Sequence, residues 1–114
     1  MRIEGEKFQN SQTCKGTSFA PVDAPLDFAE IAITGRYPEE GWAINHEVHE
    51  IVRVQRGFGV LAIREAEEVK LLQGDVVHVP PKTPFAWSGD MTLHMSCSPP
   101  FNPAQYEIIG EDDE

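Results

Sequence analysis

A histidine and a glutamate four residues apart form the most reactive pair of side chains in the sequence. Between Ile44 and Gln55 apolar and polar residues alternate, with Ile51 as the one exception. This period predicts a half-buried strand that carries His46 and Glu50 on the same, otherwise apolar, face. A carboxylate buried among apolar side chains needs a partner or becomes protonated, so an inward Glu50 is more often functional. The pair predicts an internal ligand or acid/base site; its structural alternative is a buried hydrogen-bonded pair.

Two aromatic residues form a second group of candidates. Phe85 and Trp87 are two apart in an extended segment, so they share one face. Aromatic faces in a concave site stack on sugars or on flat rings. The alternative for both is ordinary core packing, and packing is the better explanation of Trp42. The predicted ligand-binding pocket therefore combines His46 and Glu50 with Phe85 and Trp87.

Composition and charge limit the number of domains and the classes of molecule that the chain is expected to bind. The chain has 114 residues and 12.7 kDa, of which 40% are hydrophobic and 25% charged, as expected of one domain with its own core. Nineteen acidic against nine basic residues give a net charge of −10, which disfavours nucleic acid and anionic membranes because both are polyanions. No membrane span or signal peptide is visible, so we expect a cytoplasmic protein in which Cys14 and Cys97 remain free thiols, buried or semi-exposed. Cys97 lies on an apolar face and is expected to be buried.

Short strands separated by turns dominate the rest of the pattern. Several short strands at this spacing are typical of an all-β sandwich or barrel. The predicted strands are Leu26–Thr34, Ile44–Gln55, a hairpin of Val60–Ile63 and Val69–Leu72, then Val76–Val79 and Met91–Cys97, with turns at 56–59 and 88–90.

The two ends of the chain are predicted to differ from this barrel. Residues 1–12 are mostly polar and are expected to form an N-terminal arm. Asn102 suits a helix N-cap and Pro103 the first helical position, which predicts a short C-terminal helical turn. Residues 111–114 are all acidic and are expected to be disordered.

Two spacings resemble the sequence motifs of the cupin superfamily. Glu50, six residues and Gly57 are similar to the second half of the first motif. Gly74, five residues and Pro80 resemble the opening of the second motif. The resemblance covers about residues 26 to 109. It implies a single domain over 1–114 with a jelly-roll type barrel, the double-stranded β-helix of cupins, and it implies a homodimer, which would also cover sheet edges.

The metal-binding part of this resemblance is incomplete. Metal-binding cupins hold their ion with three histidines and one glutamate. When the chain is aligned on Glu50, the second histidine of the first motif falls on His46, but the first falls on Ile44 and the histidine of the second motif falls on Phe85. Transition metals as a rule need three or more protein ligands. The resemblance therefore leaves two ligands of four, His46 and Glu50.

No other histidine completes the set. An alignment on Gly41 would place Glu47 and His49 at the two-histidine positions, but His49 then lies on the polar face of the strand, away from the glutamate. His78 and His94 could join only if the backbone were rearranged, and His94 opposes the apolar face of its own strand.

We therefore predict a small-molecule binding or sensing cupin with a weak or absent metal site. The ligand would be polar with one apolar face, such as a sugar or an aromatic compound. We expect either no cofactor or a divalent metal ion (Zn, Ni, Mn or Fe) that binds weakly to His46 and Glu50. The alternative is a metal-dependent cupin enzyme of the sugar isomerase, epimerase or dioxygenase type. A third possibility is a structural dimer without ligand. Since one fold carries many functions, the sequence names neither ligand nor reaction.

Overall fold

In the computed structural model, which describes residues 1–111, the chain forms one antiparallel sheet of nine strands that curls on itself. A single 3₁₀ turn, Pro103–Gln105, interrupts the strands near the end. The strands are β1 (Glu6–Ser11), β2 (Cys14–Phe19), β3 (Phe28–Tyr37), β4 (Trp42–Asn45), β5 (His49–Ile63), β6 (Val69–Leu72), β7 (Val76–Val79), β8 (Phe85–Ser98) and β9 (Tyr106–Ile109).

Strand β8 is the centre of the barrel. On one side it pairs with β3, and beyond β3 follow β2 and β1. On the other side it pairs with β5 from His49↔Ser98 to Ile63↔Phe85, and β5 in turn pairs with β6 and β7. The start of β8 also meets β4 at Ala43↔Phe85, and β9 pairs with β4. These pairings curl the sheet around one interior and confirm the all-β barrel that the sequence predicted.

Alternating residues of β8 form a large part of the core. Its inward side chains, Met91, Leu93, Met95 and Cys97, are all buried, as the period of this segment predicted. The barrel interior is completed from β3 and β5, whose inward residues include Ile31, Ile33, Val52 and Val54. Burying branched and sulfur-containing side chains on the inner face is the main stabilising contribution in such a barrel.

Three local predictions are confirmed. Strands β5 and β6 form the predicted hairpin, in register from Phe58↔Leu72 to Leu61↔Val69. Strand β7 has the predicted bounds, Val76–Val79. The short C-terminal turn begins where Asn102 caps it, because the side-chain oxygen of Asn102 accepts a hydrogen bond from the amide of Ala104.

The predicted continuous strand Ile44–Gln55 is wrong, because the chain bends between β4 and β5. Residues of odd number point inward in β4, as Asn45 does, whereas residues of even number point inward in the first part of β5, from Glu50 to Val54. The bend is stabilised by the buried side chain of Gln105, whose Oε1 accepts hydrogen bonds from the amides of Glu47 and Val48. Backbone groups that would otherwise be buried without partners are thus satisfied.

The turns predicted at 56–59 and 88–90 are also wrong, since β5 and β8 run through both segments. The register of β5 shifts between Val54 and Arg56, which marks a β-bulge. Gly57 follows it with φ of 88°, and a Cβ atom there would clash with the carbonyl oxygen of Asp90. Glycine here permits a bulge and a close strand approach rather than a chain reversal.

The ends of the chain differ from expectation as well. The predicted arm, residues 1–12, contains β1, which pairs with β2 from Glu6↔Ser18 to Ser11↔Cys14. Strands β2 and β9 were not predicted either, because β-ladder hydrogen bonds involve the backbone and leave little trace in short, polar segments. Of the predicted disordered tail 111–114, all residues after Glu111 lie outside the described part of the chain. No helix within residues 1–111 is long and apolar enough to cross a membrane.

Candidate ligand-binding cavity

The curled sheet surrounds a cavity of about 270 Å³. Its wall is mainly apolar and aromatic, and it is built from β3, β8 and the start of the chain. A few polar side chains interrupt this wall, among them Glu50, Tyr37, Tyr106 and Asp27. A concave apolar site with a few converging polar groups is the usual form of a small-molecule pocket.

Glu50 is the buried carboxyl group of this cavity. Its side chain is 4% exposed, and burial raises its pKa from 4.5 to about 7, with a smaller upward contribution from the negative charge of Asp27. A hydrogen bond from Asn45 opposes this rise but does not cancel it. The other carboxyl oxygen, Oε1, has no hydrogen-bond partner within the described residues. Glu50 is therefore held near the midpoint of its titration at neutral pH, with one oxygen free.

A chain of buried amides holds the second oxygen of Glu50 in place. Nδ2 of Asn45 donates to Oε2 of Glu50 over 2.9 Å, and Nε2 of Gln105 donates to Oδ1 of Asn45 over 2.8 Å. Because Gln105 also accepts from the backbone of the β4–β5 bend, the orientation of each amide in the chain is fixed. Gln105 therefore both stabilises the bend between β4 and β5 and, through Asn45, positions the carboxyl group of Glu50.

Both tyrosines of the chain line the cavity. The hydroxyl groups of Tyr37 and Tyr106 are 2.9 Å apart and form a hydrogen bond. Burial raises the pKa of both, and the nearby negative charge of Glu50 adds to the rise. The two phenols therefore stay neutral at physiological pH and offer hydroxyl groups to a ligand.

The two cysteines are free and buried, as expected, and both lie against the cavity. Burial raises the pKa of Cys14 to about 11 and raises that of Cys97 further. Since the thiolate is the nucleophile, neither thiol is reactive in this environment.

Three of the four predicted pocket residues meet in the cavity. Glu50 lines it together with Phe85 and Trp87, whose ring centroids are 6.0 Å apart in an edge-to-face arrangement. His46 does not. It is exposed, and its Nε2 lies 2.9 Å from Oε1 of Glu107 on the outside of the barrel. The prediction that His46 and Glu50 share a face is wrong because the bend after Asn45 reverses the phase of the strand.

The barrel is similar in structure to several solved proteins. No protein-family model and no curated protein matches the chain. Streptomyces Pac13, described as a nucleoside dehydratase, superimposes with a TM-score of 0.83 at 20% identity, over 96% of this chain and 91% of that one. KdgF from Halomonas superimposes with a TM-score of 0.69 at 19% identity, over 87% of this chain and 90% of that one. Ectoine synthase from P. lautus superimposes with a TM-score of 0.69 at 12% identity, over 93% of this chain and 86% of that one. The chain has the cupin fold. At these identities the likeness shows the fold alone.

The cavity does not contain the donor set of a metal-binding cupin. Of the two predicted ligands, His46 lies on the outside of the barrel and Glu50 lies on the cavity. Phe85, at the position of the second-motif histidine, contributes an aromatic ring to the cavity wall and no ligand atom. The carboxylate of Asp27 already accepts hydrogen bonds from the amides of Cys97 and Phe101, each over 2.9 Å. Within residues 1–111 no group of three or more His, Cys, Asp or Glu side chains could hold a metal ion. These residues do not fit the metal centre that the fold family implies.

Sequence reasoning missed several polar residues of the site, among them Asn45, Gln105, Tyr37 and Tyr106. Asn45 fell on the polar face of a strand that was predicted as continuous, although it is 1% exposed. Gln105 lies three residues after the predicted N-cap, Asn102, and its side chain is buried in the barrel wall. Tyr37 and Tyr106 are the only tyrosines in the sequence, and that scarcity was the one available signal.

Proposed function

We propose that this cupin-fold protein binds a small organic molecule inside the barrel, held by Glu50 and the aromatic wall. The observation that carries the proposal is the free Oε1 of Glu50, a buried polar atom on the cavity. A buried acceptor without a partner costs about 1–3 kcal/mol. A ligand that donates a hydrogen bond to this oxygen would recover that cost, which favours a bound state over an empty cavity.

The lining favours a ligand with a flat apolar body and a polar edge. Phe85 and Trp87 offer aromatic surface, while Glu50 and the hydroxyl groups of Tyr37 and Tyr106 offer polar contacts. A nucleoside has this form, with a flat base and several hydroxyl groups, and so do some sugars and aromatic compounds. Solved structures of Pac13 with uridine, at a TM-score of 0.84, make a nucleoside the first candidate.

A second candidate function is a metal-independent enzyme that transfers a proton. The observation that favours it is the pKa of about 7 for Glu50, since a general acid or base works best when its pKa lies near the working pH. In this candidate Glu50 exchanges a proton with the bound molecule through Oε1, while Asn45 fixes Oε2. The metal-dependent enzyme considered from the sequence lacks the required donors among the described residues.

Thermal unfolding with a panel of uridine, other nucleosides, monosaccharides and aromatic acids tests the binding proposal. We expect at least one compound to raise the melting temperature of the wild type, by about 10 °C or more at 100 times its Kd. Glu50→Gln should lose most of that rise. Glu47→Gln, an exposed neighbour, should keep it.

An equal rise in the melting temperatures of wild type and Glu50→Gln for every bound compound would show that Glu50 does not contact the ligand. If nothing in the panel shifts the wild type, the cavity is not a site for these compounds. Incubating each stabilising compound with the wild type and following it by NMR separates the two candidates. A new product that Glu50→Gln fails to form identifies the enzyme, and an unchanged compound identifies the binding protein.

We further propose that the chain is a homodimer through the outer face of β5, β6 and β7. Phe58 and Leu72 are direct cross-strand neighbours with exposures of 63% and 66%, and Val76, across the next turn, is 59% exposed. We expect sedimentation of the wild type to show about twice 12.7 kDa at micromolar concentration. Leu72→Glu should give the single-chain mass, whereas Leu26→Glu, exposed on another segment, should not. A wild type that sediments only at 12.7 kDa would rule out this dimer.

A further inference from the structure

A second concave site lies on the outer face of the same sheet. It is a groove of about 530 Å³ over β1, β2 and β3 that also reaches β8 and β5. Along β1 and β2 the side chains alternate between the two sites: Phe8 and Cys14 line the barrel cavity, while Lys7, Gln9 and Lys15 line the groove. Among the described residues, Phe8 on the edge strand is the one that borders both. The groove is therefore separate from the proposed ligand cavity and does not depend on its function.

The strand register gathers positive charge in this groove. Lys15 lies opposite Ala32, Ala32 opposite Thr92, and Thr92 opposite Arg56, so one row crosses four strands with a cation at each end. In the neighbouring row, Lys7 pairs with Thr17. Neighbouring strands lie about 4.8 Å apart, so the backbones of Lys15 and Arg56 are about 14 Å apart along this row. Their long side chains and that of Lys7, from β2, β5 and β1, line one concavity.

This concentration is unexpected in a chain with a net charge of −10. Among residues 1–111, the groove is lined by three of the nine Lys and Arg residues and by one acidic residue, Glu30. That carboxylate is already engaged, since its Oε2 lies 2.9 Å from Nε2 of His94. Within the described part of the chain, Lys7, Lys15 and Arg56 have no ion-pair or hydrogen-bond partner for their charged groups. Like charges brought together without a counter-charge are unfavourable unless an anion joins them.

We propose that this groove binds a compact, multiply charged anion of the phosphate class, such as a phosphate or diphosphate group. The guanidinium fork of Arg56 suits two phosphate oxygens, and Lys7 and Lys15 add point charges. The hydroxyl groups of Thr17 and Thr92 are further donors on the same wall. The overall charge of −10 repels long polyanions, so the favoured partner is short and compact.

Calorimetric titration with inorganic pyrophosphate at low ionic strength tests this proposal. We expect saturable binding at one site, weakened by added sodium chloride because exposed charges are screened. The double variant Lys15→Gln/Arg56→Gln should bind about tenfold more weakly, because each lost charge-assisted contact in an exposed site is worth a factor of about three. Lys70→Gln, an exposed lysine on β6 outside the groove, is the matched control and should bind as the wild type does.

Each contrary outcome overturns the proposal. Absence of saturable binding by the folded wild type at millimolar pyrophosphate means that the groove is not a phosphate site. An equal loss in Lys70→Gln and in the groove variant means non-specific attraction of an anion to any cation. A peptide carrying the terminal sequence Glu111 to Glu114 that binds more tightly than pyrophosphate, and loses affinity in the groove variant, means that the face receives the acidic end of a second copy instead. Circular dichroism of both variants establishes that they are folded.

Discussion

Replacing Glu50 with glutamine is expected to remove a pH dependence of about 3 kcal/mol from the free energy of unfolding. The pKa of Glu50 is about 7 in the folded chain against an ordinary 4.5. Between these two values the folded state therefore binds more protons than the unfolded state does. This group's contribution to stability is complete below pH 4.5, decreases as the pH rises to 7, and is flat above that.

Urea unfolding at pH 5 and pH 8 measures this effect. The wild type should lose about 3 kcal/mol more than Glu50→Gln does between the two pH values. The glutamine keeps an oxygen that accepts from Asn45 and has no charge to desolvate, so the variant should be the more stable of the two at pH 8. Glu47→Gln removes an exposed carboxylate and should follow the wild type. Identical pH profiles for wild type and Glu50→Gln would contradict the raised pKa.

Replacing Phe85 with histidine is expected to destabilise the barrel without creating a metal site. Phe85 is 2% exposed and packs edge to face on Trp87. Its loss, with a polar ring left in its place, should cost about 3 kcal/mol or more. The sequence motifs alone suggested that this substitution would add a third ligand beside His46 and Glu50. The structure places His46 outside the barrel, so the new ring would lack that histidine as a second nitrogen ligand.

Thermal unfolding with and without Zn²⁺ and Ni²⁺ checks this prediction. Phe85→Leu is the matched control, because it loses the same aromatic ring but adds no nitrogen donor. We expect metal ions to change the melting temperatures of wild type, Phe85→Leu and Phe85→His equally, since two protein ligands are too few for a stable zinc site. A rise confined to Phe85→His, with one ion bound per chain, would show that the cavity holds a further ligand.

The sequence determined the class of fold through local patterns that need no distant partner. Alternation in β8 placed Met91 to Cys97 on an inner face, and turn residues delimited β6 and β7. The same patterns predicted a buried Glu50 beside Phe85 and Trp87, which the structure brings to one cavity. These features are readable because burial of every second residue is a property of the strand itself.

The tertiary structure alone decided which side chains near the start of β5 point into the barrel. Gln105, far along the chain, supplies the hydrogen bonds that bend the backbone at Glu47 and Val48. This bend turns Asn45 inward and His46 outward, the opposite of the phase predicted from the alternation. A one-residue shift moves every side chain of a strand to the other face, and no local pattern records it when the stabilising group is more than 50 residues away. The basic groove has the same origin, because strand pairing alone brings its cations from β1, β2 and β5 to one face.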